Sequence, residues 1–234
     1  MPPELTILMP VYNESERIGA ALEDVVRTDW PFPVELIVVD DGSTDGTRDF
    51  LGSYPWPEYA RLHLHERNQG KGGAVRTALG HASGRFSVIF DADLEYKAGE
   101  LVPLVAPLRE GLTNAAFGVR IFDGYTSHSF LYVMGNRFVT LAANVLFNVY
   151  LHDLMTCFKA IRTDIFRDLQ LRENGFTIEP EIAARLIQHG ERIYEVPISY
   201  RARSFEEGKK LTTRDGLRTL ATLVRCRLRP LQRS

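Results

Sequence analysis

Short apolar runs alternate with segments of helical periodicity along the first ninety residues. Leu5-Thr-Ile-Leu-Met9 is apolar and closes on a turn, and Ile18, Leu22, Val25 and Val26 then recur at helical spacing behind a cap at Asn13 or Ser15. Val34–Val39 is a second apolar run, Thr47–Leu51 opens the next helix, and Leu62-His-Leu64 fits a third strand. Gly70–Ala82 reads as a glycine-rich start of a helix, and Phe86–Phe90 as a fourth strand. Strands alternating with helices predict an α/β fold with a doubly wound, mostly parallel sheet. Ligands of such sheets sit outside the carboxyl ends of the strands. The second half is less regular. Ala116–Arg120, Cys157–Ile161 and Ile193–Tyr200 fit strands, Phe130–Tyr150 and Ile178–Ile187 fit helices, and no linker or repeat divides the chain.

Composition adds bounds. The 234 residues, 44% hydrophobic and 25% charged, suit one soluble globular domain. The net charge of −2 conceals an asymmetry, because residues 201–234 hold ten Lys/Arg against three Asp/Glu. A basic end on an acidic body points to phosphates, of a nucleotide or of a membrane surface. Two cysteines without metal-ligand spacing argue for a reducing compartment and against a disulfide framework. The first residues lack a signal-peptide pattern. The longest uncharged stretch, Phe138–His152, holds 15 residues, short of the roughly 20 that a membrane-spanning helix needs. No membrane span is expected.

The residues that bear chemistry gather at predicted strand ends. Tyr12 and Glu14 in Pro10-Val-Tyr-Asn-Glu14 could stack on a nucleobase and accept hydrogen bonds from base or ribose; equally, Glu14 suits the first turn of a helix. Asp40-Asp41-Gly-Ser-Thr-Asp45 reads as a turn in which Thr44 or Asp45 caps a helix, or as a place where one of the paired carboxylates holds a base edge. Asn68-Gln-Gly-Lys-Gly-Gly-Ala74 matches neither a Walker loop nor a dinucleotide fingerprint, and leads into a helix whose N-terminus or Lys71 approaches a phosphate. Asp91-Ala-Asp93, after an apolar strand, forms an acidic corner suited to a divalent cation with positions open to phosphates. Arg201 to Lys210 is either a solvated charge run or a basic lid over a pyrophosphate, with Gly208 as its flexible point.

In order, P-V-Y-N-E, V-D-D-G-S-T-D-G-T, G-K-G-G-A and D-A-D-L resemble family 2 inverting glycosyltransferases of the GT-A nucleotide-sugar fold. Asp153-Leu-Met-Thr-Cys-Phe158, Glu195-Val-Pro-Ile-Ser-Tyr200 and Glu207-Gly-Lys-Lys210 are similar to the branch of dolichyl- and polyprenyl-phosphate mannose or glucose synthases. The resemblance implies that Pro10, Tyr12 and Glu14 contact the nucleoside and that Val39 and Asp41 hold the base. It implies that Asp91 and Asp93 bind Mg²⁺ or Mn²⁺ with Ala92 lining the pyrophosphate, and it puts Glu95 near that metal. Arg120, Arg203 and Lys209 would meet donor and acceptor phosphates, and Arg137 the acceptor phosphate; Asp93, Arg120, Arg137, Arg203 and Lys209 form the implied catalytic set. Residues 1–210 would be the GT-A domain, with a nucleotide-binding half at 1–115 and an acceptor half at 116–210; residues 211–234 would be a basic amphipathic helix and tail.

The implied reaction moves a hexose from a GDP- or UDP-sugar to polyprenyl phosphate. An ionised phosphate oxygen needs no dedicated base, and single-step displacement inverts the anomeric carbon. The implied place is the cytoplasmic face of a membrane, with a separate integral membrane protein as a further partner and no nucleic acid. Phe130–Tyr150 would lie at the bilayer surface. In the last helix Leu217, Leu220, Val224 and Leu228 fall within an arc of roughly 80°, with Arg214, Arg218 and Arg225 on another. That pattern suits a lipid surface, the helix's own domain or a dimer contact. Two rival readings stand: a family 2 transferase acting on a sugar hydroxyl, with Asp153 as base, and a non-catalytic nucleotide-sugar-binding protein at the membrane.

Overall fold

The computed structural model of the chain describes residues 2–120, 130–201 and 213–231. The strands are β1 (Leu5–Val11), β2 (Val34–Asp40), β3 (Ala60–Leu64), β4 (Phe86–Ile89), β5 (Ala115–Arg120), β6 (Lys159–Arg162) and β7 (Ile193–Ile198). The α-helices are α1 (Ile18–Arg27), α2 (Thr47–Ser53), α3 (Lys71–His81), α4 (Leu101–Arg109), α5 (Phe130–Phe147), α6 (Thr163–Asp168), α7 (Ile178–His189) and α8 (Thr213–Leu228). The strands form one sheet in the order β3-β2-β1-β4-β6-β5-β7. β6 alone runs against its neighbours β4 and β5, and the other pairings are parallel. The expected α/β architecture with a mostly parallel sheet is therefore the one observed.

The inner strands β1, β2 and β4 are buried on both faces, so their runs of apolar residues split by period two between two cores. Leu5, Ile7, Met9 and Val11 of β1 join Ile18, Leu22 and Val25 of α1 and Leu101, Leu104 and Leu108 of α4. Leu8 of β1 with Ile37 and Val39 of β2 joins Val75 of α3, Ile182 and Leu186 of α7 and Leu223 of α8 on the other side. Thr6, also on β1, is buried and polar. Its hydroxyl donates to Glu35 Oε2 at 2.7 Å and accepts from the Gly84 amide at 2.9 Å. Glu35 also takes the Ser83 amide and hydroxyl at 2.8 and 2.9 Å, closing a polar knot at the amino end of the sheet.

Two helices were not expected from periodicity. In α4, Pro103 falls in the first turn and Pro107 in the interior, so the segment reads as broken; burial of Leu101, Leu104, Val105 and Leu108 overrides that signal. α6 is a short helix whose Ile165 and Phe166 are buried. The last helix keeps most of its apolar arc on the outside. α8 turns Thr219, Thr222, Leu223 and Cys226 inward against α5 and α7, whereas Leu217 and Leu228 are 71% and 75% exposed and Val224 is also exposed. The short threonines let the helices approach closely, which leaves the larger apolar arc outside. α5 also carries an outward apolar arc. Phe130, Met134, Phe138, Leu141 and Val145, within about 80° of arc, are between 42% and 73% exposed. Among the described residues no helix is long and apolar enough to cross a membrane.

Glu35→Ala strands the Thr6 hydroxyl and both Ser83 donors. Urea unfolding should show a loss of about 1–3 kcal/mol with an unchanged denaturant slope, and Glu35→Gln should recover part of it.

Candidate functional site

The carboxyl ends of β1, β2 and β4 converge as the topology requires. After β1, Asn13 takes a left-handed backbone conformation (φ 52°) that turns the chain towards the loop after β2. Its amide donates to Ser43 Oγ at 3.0 Å and its Oδ1 accepts the Thr44 amide at 2.9 Å. The Glu14 amide donates to Thr47 Oγ1 at 2.9 Å, and the Ser15 amide to Asp45 Oδ2 at 3.1 Å. Asp45 caps the start of α2 by accepting the Thr47 amide and hydroxyl. Partial burial acts to raise its pKa, but the Thr47 and Ser15 hydrogen bonds bring it to about 2. Thr44 does not cap; it serves the staple between the two loops. The ring of Tyr12 is 39% exposed beside Pro10, and the buried Glu14 carboxylate lies 3.4 Å from Arg17 Nη1.

The two aspartates ending β2 are enclosed. Asp40 is fully buried and pairs with Arg48 Nε at 2.7 Å. Asp41, 2% exposed, accepts the Gln69 and Gly70 amides at 2.8 Å each and meets His65 Nδ1 at 2.7 Å. It braces the turn into α3. Val39, expected at the base, is fully buried in the α3 and α7 core, because alternation along β2 points its side chain into that layer. Ala92, expected at the pyrophosphate, likewise has its methyl in the α1 and α4 core.

The start of α3 packs against the backbone before α7. Gly70 has φ +85°, and the Gly72 amide donates to the Asn174 carbonyl at 2.6 Å. A Cβ on Gly72 would lie 2.1 Å from the Glu173 carbonyl oxygen, so only glycine permits this approach. Lys71, 8% exposed in its side chain, turns inward. Its Nζ lies 2.7 Å from Asp91 Oδ2, 2.8 Å from Glu179 Oε1 and 3.2 Å from Cys157 Sγ. Burial acts to discharge this ammonium, but Asp91, with Cys157 and Glu179, outweighs burial and holds Lys71 charged. Glu179 in turn meets the fully buried Lys159 at 2.6 Å. Sequence reasoning missed Glu179 and Lys159, since no local pattern marks a pairing between α3, β6 and α7. Burial and Asp91 push the Cys157 thiol up, which leaves it a poor nucleophile.

Beyond β4 the chain turns through Leu94 at φ +62°, a conformation rare for leucine and a sign of a constrained corner. Asp93 Oδ1 accepts the Glu95 amide at 3.1 Å. The Glu95 carboxylate accepts the Tyr200 hydroxyl at 2.9 Å. Among the described residues no group of three or more His, Cys, Asp or Glu is arranged to hold a metal. Asp91 and Asp93 nonetheless suit Mg²⁺ or Mn²⁺ by chemistry. They are hard oxygen donors, an ammonium already rests on Asp91, and such ions take one or two carboxylates plus substrate phosphates.

At the carboxyl end of β5, Arg120 forks onto Asp153, with Nε to Oδ2 at 2.6 Å and Nη2 to Oδ1 at 2.8 Å. Asn136 Nδ2 adds a third donor to Asp153 at 3.0 Å, and the guanidinium lies over the Tyr200 ring, 4.9 Å from its centroid. Burial acts to raise the Asp153 pKa, but Arg120 and Asn136 hold it below the usual carboxylate range. Asn136 is a third residue that sequence reasoning passed over. Arg137, on the neighbouring position of α5, is exposed. Arg203 and Lys209 lie outside the described residues.

Comparison with known proteins agrees with this geometry. Residues 6–170 match the family described as "Glycosyl transferase family 2". The "Dolichyl-phosphate hexose transferase" of Haloferax volcanii is 31% identical over 208 residues, which cover 87% of this chain and 85% of that protein. "Glycosyltransferase AglJ" of the same organism is 31% identical over 202 residues, covering 85% of this chain and 63% of AglJ. The "Dodecaprenyl-phosphate galacturonate synthase" of Rhizobium johnstonii is 27% identical over 204 residues, covering 86% and 60%. The chain thus spans less than two thirds of these last two relatives. Among solved structures, glucosyl-3-phosphoglycerate synthase of Mycobacterium tuberculosis, in complex with Mn²⁺, uridine diphosphate and phosphoglyceric acid, has a TM-score of 0.75 at 18% identity. That match covers 96% of this chain and 78% of the other, and the likeness is one of fold. With a family match over most of its length and the strand-end loops converging at one corner of the sheet, the chain belongs to glycosyl transferase family 2.

Proposed function

We propose that the protein transfers a hexose, with inversion, from a GDP- or UDP-sugar to polyprenyl phosphate at the cytoplasmic face of a membrane. The observation that carries the acceptor assignment is Asp153. A transferase that deprotonates a sugar hydroxyl needs a base, and the nearest candidate is buried, forked by Arg120 and held below the usual carboxylate range. A phosphate acceptor has a second pKa of about 6 and arrives ionised near neutral pH. The relatives named as dolichyl- and dodecaprenyl-phosphate enzymes support the same choice.

In this reading Tyr12 stacks on the base, with Pro10 and Glu14 bordering the nucleoside. Asp41, with three of its roughly four acceptor sites taken, has one left for a base N–H. Asp91 and Asp93 hold Mg²⁺ or Mn²⁺, which supplies charge neutralisation of the departing diphosphate. Glu95, tied to Tyr200, orients the corner and is not assigned as a ligand. Arg120 spends two of its five N–H donors on Asp153 and offers the others to a phosphate. Asp153 and Asn136 fix the plane of that guanidinium, and Arg137, Arg203 and Lys209 add positive charge for the acceptor and the closing of the site. The aligned ends are what lower the barrier, through in-line placement and preset electrostatics. The outward apolar arcs of α5 and α8, bordered by exposed Arg218 and Arg225, support contact with an anionic bilayer. A separate integral membrane protein is a further partner in this proposal.

A panel of nucleotide-sugars offered with polyprenyl phosphate and Mg²⁺ or Mn²⁺ should give one sugar-phosphoprenol of inverted anomeric configuration. Product formed only on sugar hydroxyls would overturn the acceptor. Asp153→Asn, assayed per folded molecule, should lose less than the ~10²–10⁴-fold contributed by a general base and should keep the wild-type pH profile. Flotation with anionic vesicles should recover the wild-type protein, and Phe138→Glu combined with Val145→Glu should abolish recovery while leaving the melting temperature unchanged.

A further inference from the structure

The buried ammonium of Lys71 stands where the proposed function would have metal charge act. Its Nζ is shared between two acids on different elements: Asp91 Oδ2 at the end of β4, at 2.7 Å, and Glu179 Oε1 in the first turn of α7, at 2.8 Å. The two contacts are unequal in kind. The bond to Asp91 has hydrogen-bond geometry, whereas Glu179 Oε1 is buried and has no hydrogen-bond partner. A buried carboxylate oxygen without a hydrogen bond is costly, and one beside an ammonium is an acceptor held in reserve. Glu179 itself cannot move far, because Lys159 grips its other oxygen at 2.6 Å.

Resting on the metal reading above, we infer that Lys71 is the resident counter-ion of Asp91 and that Glu179 is its alternative seat. A divalent cation enters the Asp91–Asp93 corner as the ammonium passes from Asp91 to Glu179. Lys71 and Glu179 are thus positioning residues, and no covalent bond is made or broken. Charge explains the arrangement. Asp91, Glu179, Lys71 and Lys159 sum to zero, so the buried set is balanced before any metal arrives. Asp93 adds a single negative charge at the corner, so a dication still leaves positive charge over, and the diphosphate of the donor balances it. Metal alone therefore binds weakly, and metal with nucleotide binds tightly.

Manganese binding, followed by the electron paramagnetic resonance signal of free Mn²⁺ with and without GDP or UDP, tests this without any assay of turnover. Lys71→Met should raise affinity for Mn²⁺ alone by at least about fivefold and shrink the gain contributed by nucleotide. Glu179→Gln should weaken Mn²⁺ binding by a similar factor in the wild-type background and have no effect in the Lys71→Met background. An equal effect in both backgrounds would mean simple long-range attraction and would overturn the exchange, as would a Lys71→Met protein that binds Mn²⁺ no tighter than wild type. Should Lys71→Met fail to fold by circular dichroism, Lys71→Gln carries the same prediction. A wild-type protein that retains no Mn²⁺ even with nucleotide would instead remove the metal reading itself.

Discussion

Four charges buried in series, Asp91, Lys71, Glu179 and Lys159, tie the end of β4 to the starts of α3, α7 and β6. Charges taken out of water are tolerated only when each is paired and further bonded, and removing one partner leaves another uncompensated. That demand reaches well beyond the four residues. Lys71 can meet both acids only because Gly70 and Gly72 let the start of α3 lie against the backbone of Glu173 and Asn174. Arg76 then bonds the Glu173 carbonyl at 2.6 Å, and Arg225 of α8 pairs with the Glu173 side chain. The segment before α7 is thereby clamped from α3 and α8 together.

The loops after β1 and β2 are stiff for a different reason. Backbone amides of one loop bond side chains of the other, so neither the Tyr12 loop nor the Asp41 loop can shift alone. A ligand meeting such a surface would incur little ordering cost. The corner after β4 is built differently, from buried ion pairs in which one ammonium, Lys71, meets both Asp91 and Glu179. A stapled backbone and a shared buried charge thus sit side by side at one edge of the sheet.

The parallel half of the fold was legible because its signals are local. Apolar runs, turn residues and strand-end acids from Leu5 to Asp93 occupy the positions that period and punctuation indicate. What escaped depends on contacts made far along the chain. α4 reads as broken at its prolines until the burial of Leu104 and Leu108 is known. Thr219 and Thr222 of α8 carry no apolar signal, yet they take the inward face because small side chains fit between α5 and α7. Val39 and Ala92 lie within motifs that point to a ligand, but strand alternation and core packing turn their side chains away. Lys71 in a glycine-rich turn suggests a phosphate; only the fold brings Asp91 and Glu179 to it.

The reversed strand β6 has a consequence for how such a protein can diversify. Because β6 runs against β4 and β5, the segment that leads into it, carrying Asp153 and Cys157, arrives at the same edge where the other strands end. Residues can be inserted or exchanged there without disturbing the register of β1 to β4. A lineage of this architecture can vary that segment while keeping the parallel strands and the loops at their ends, and a designer can graft on the same segment.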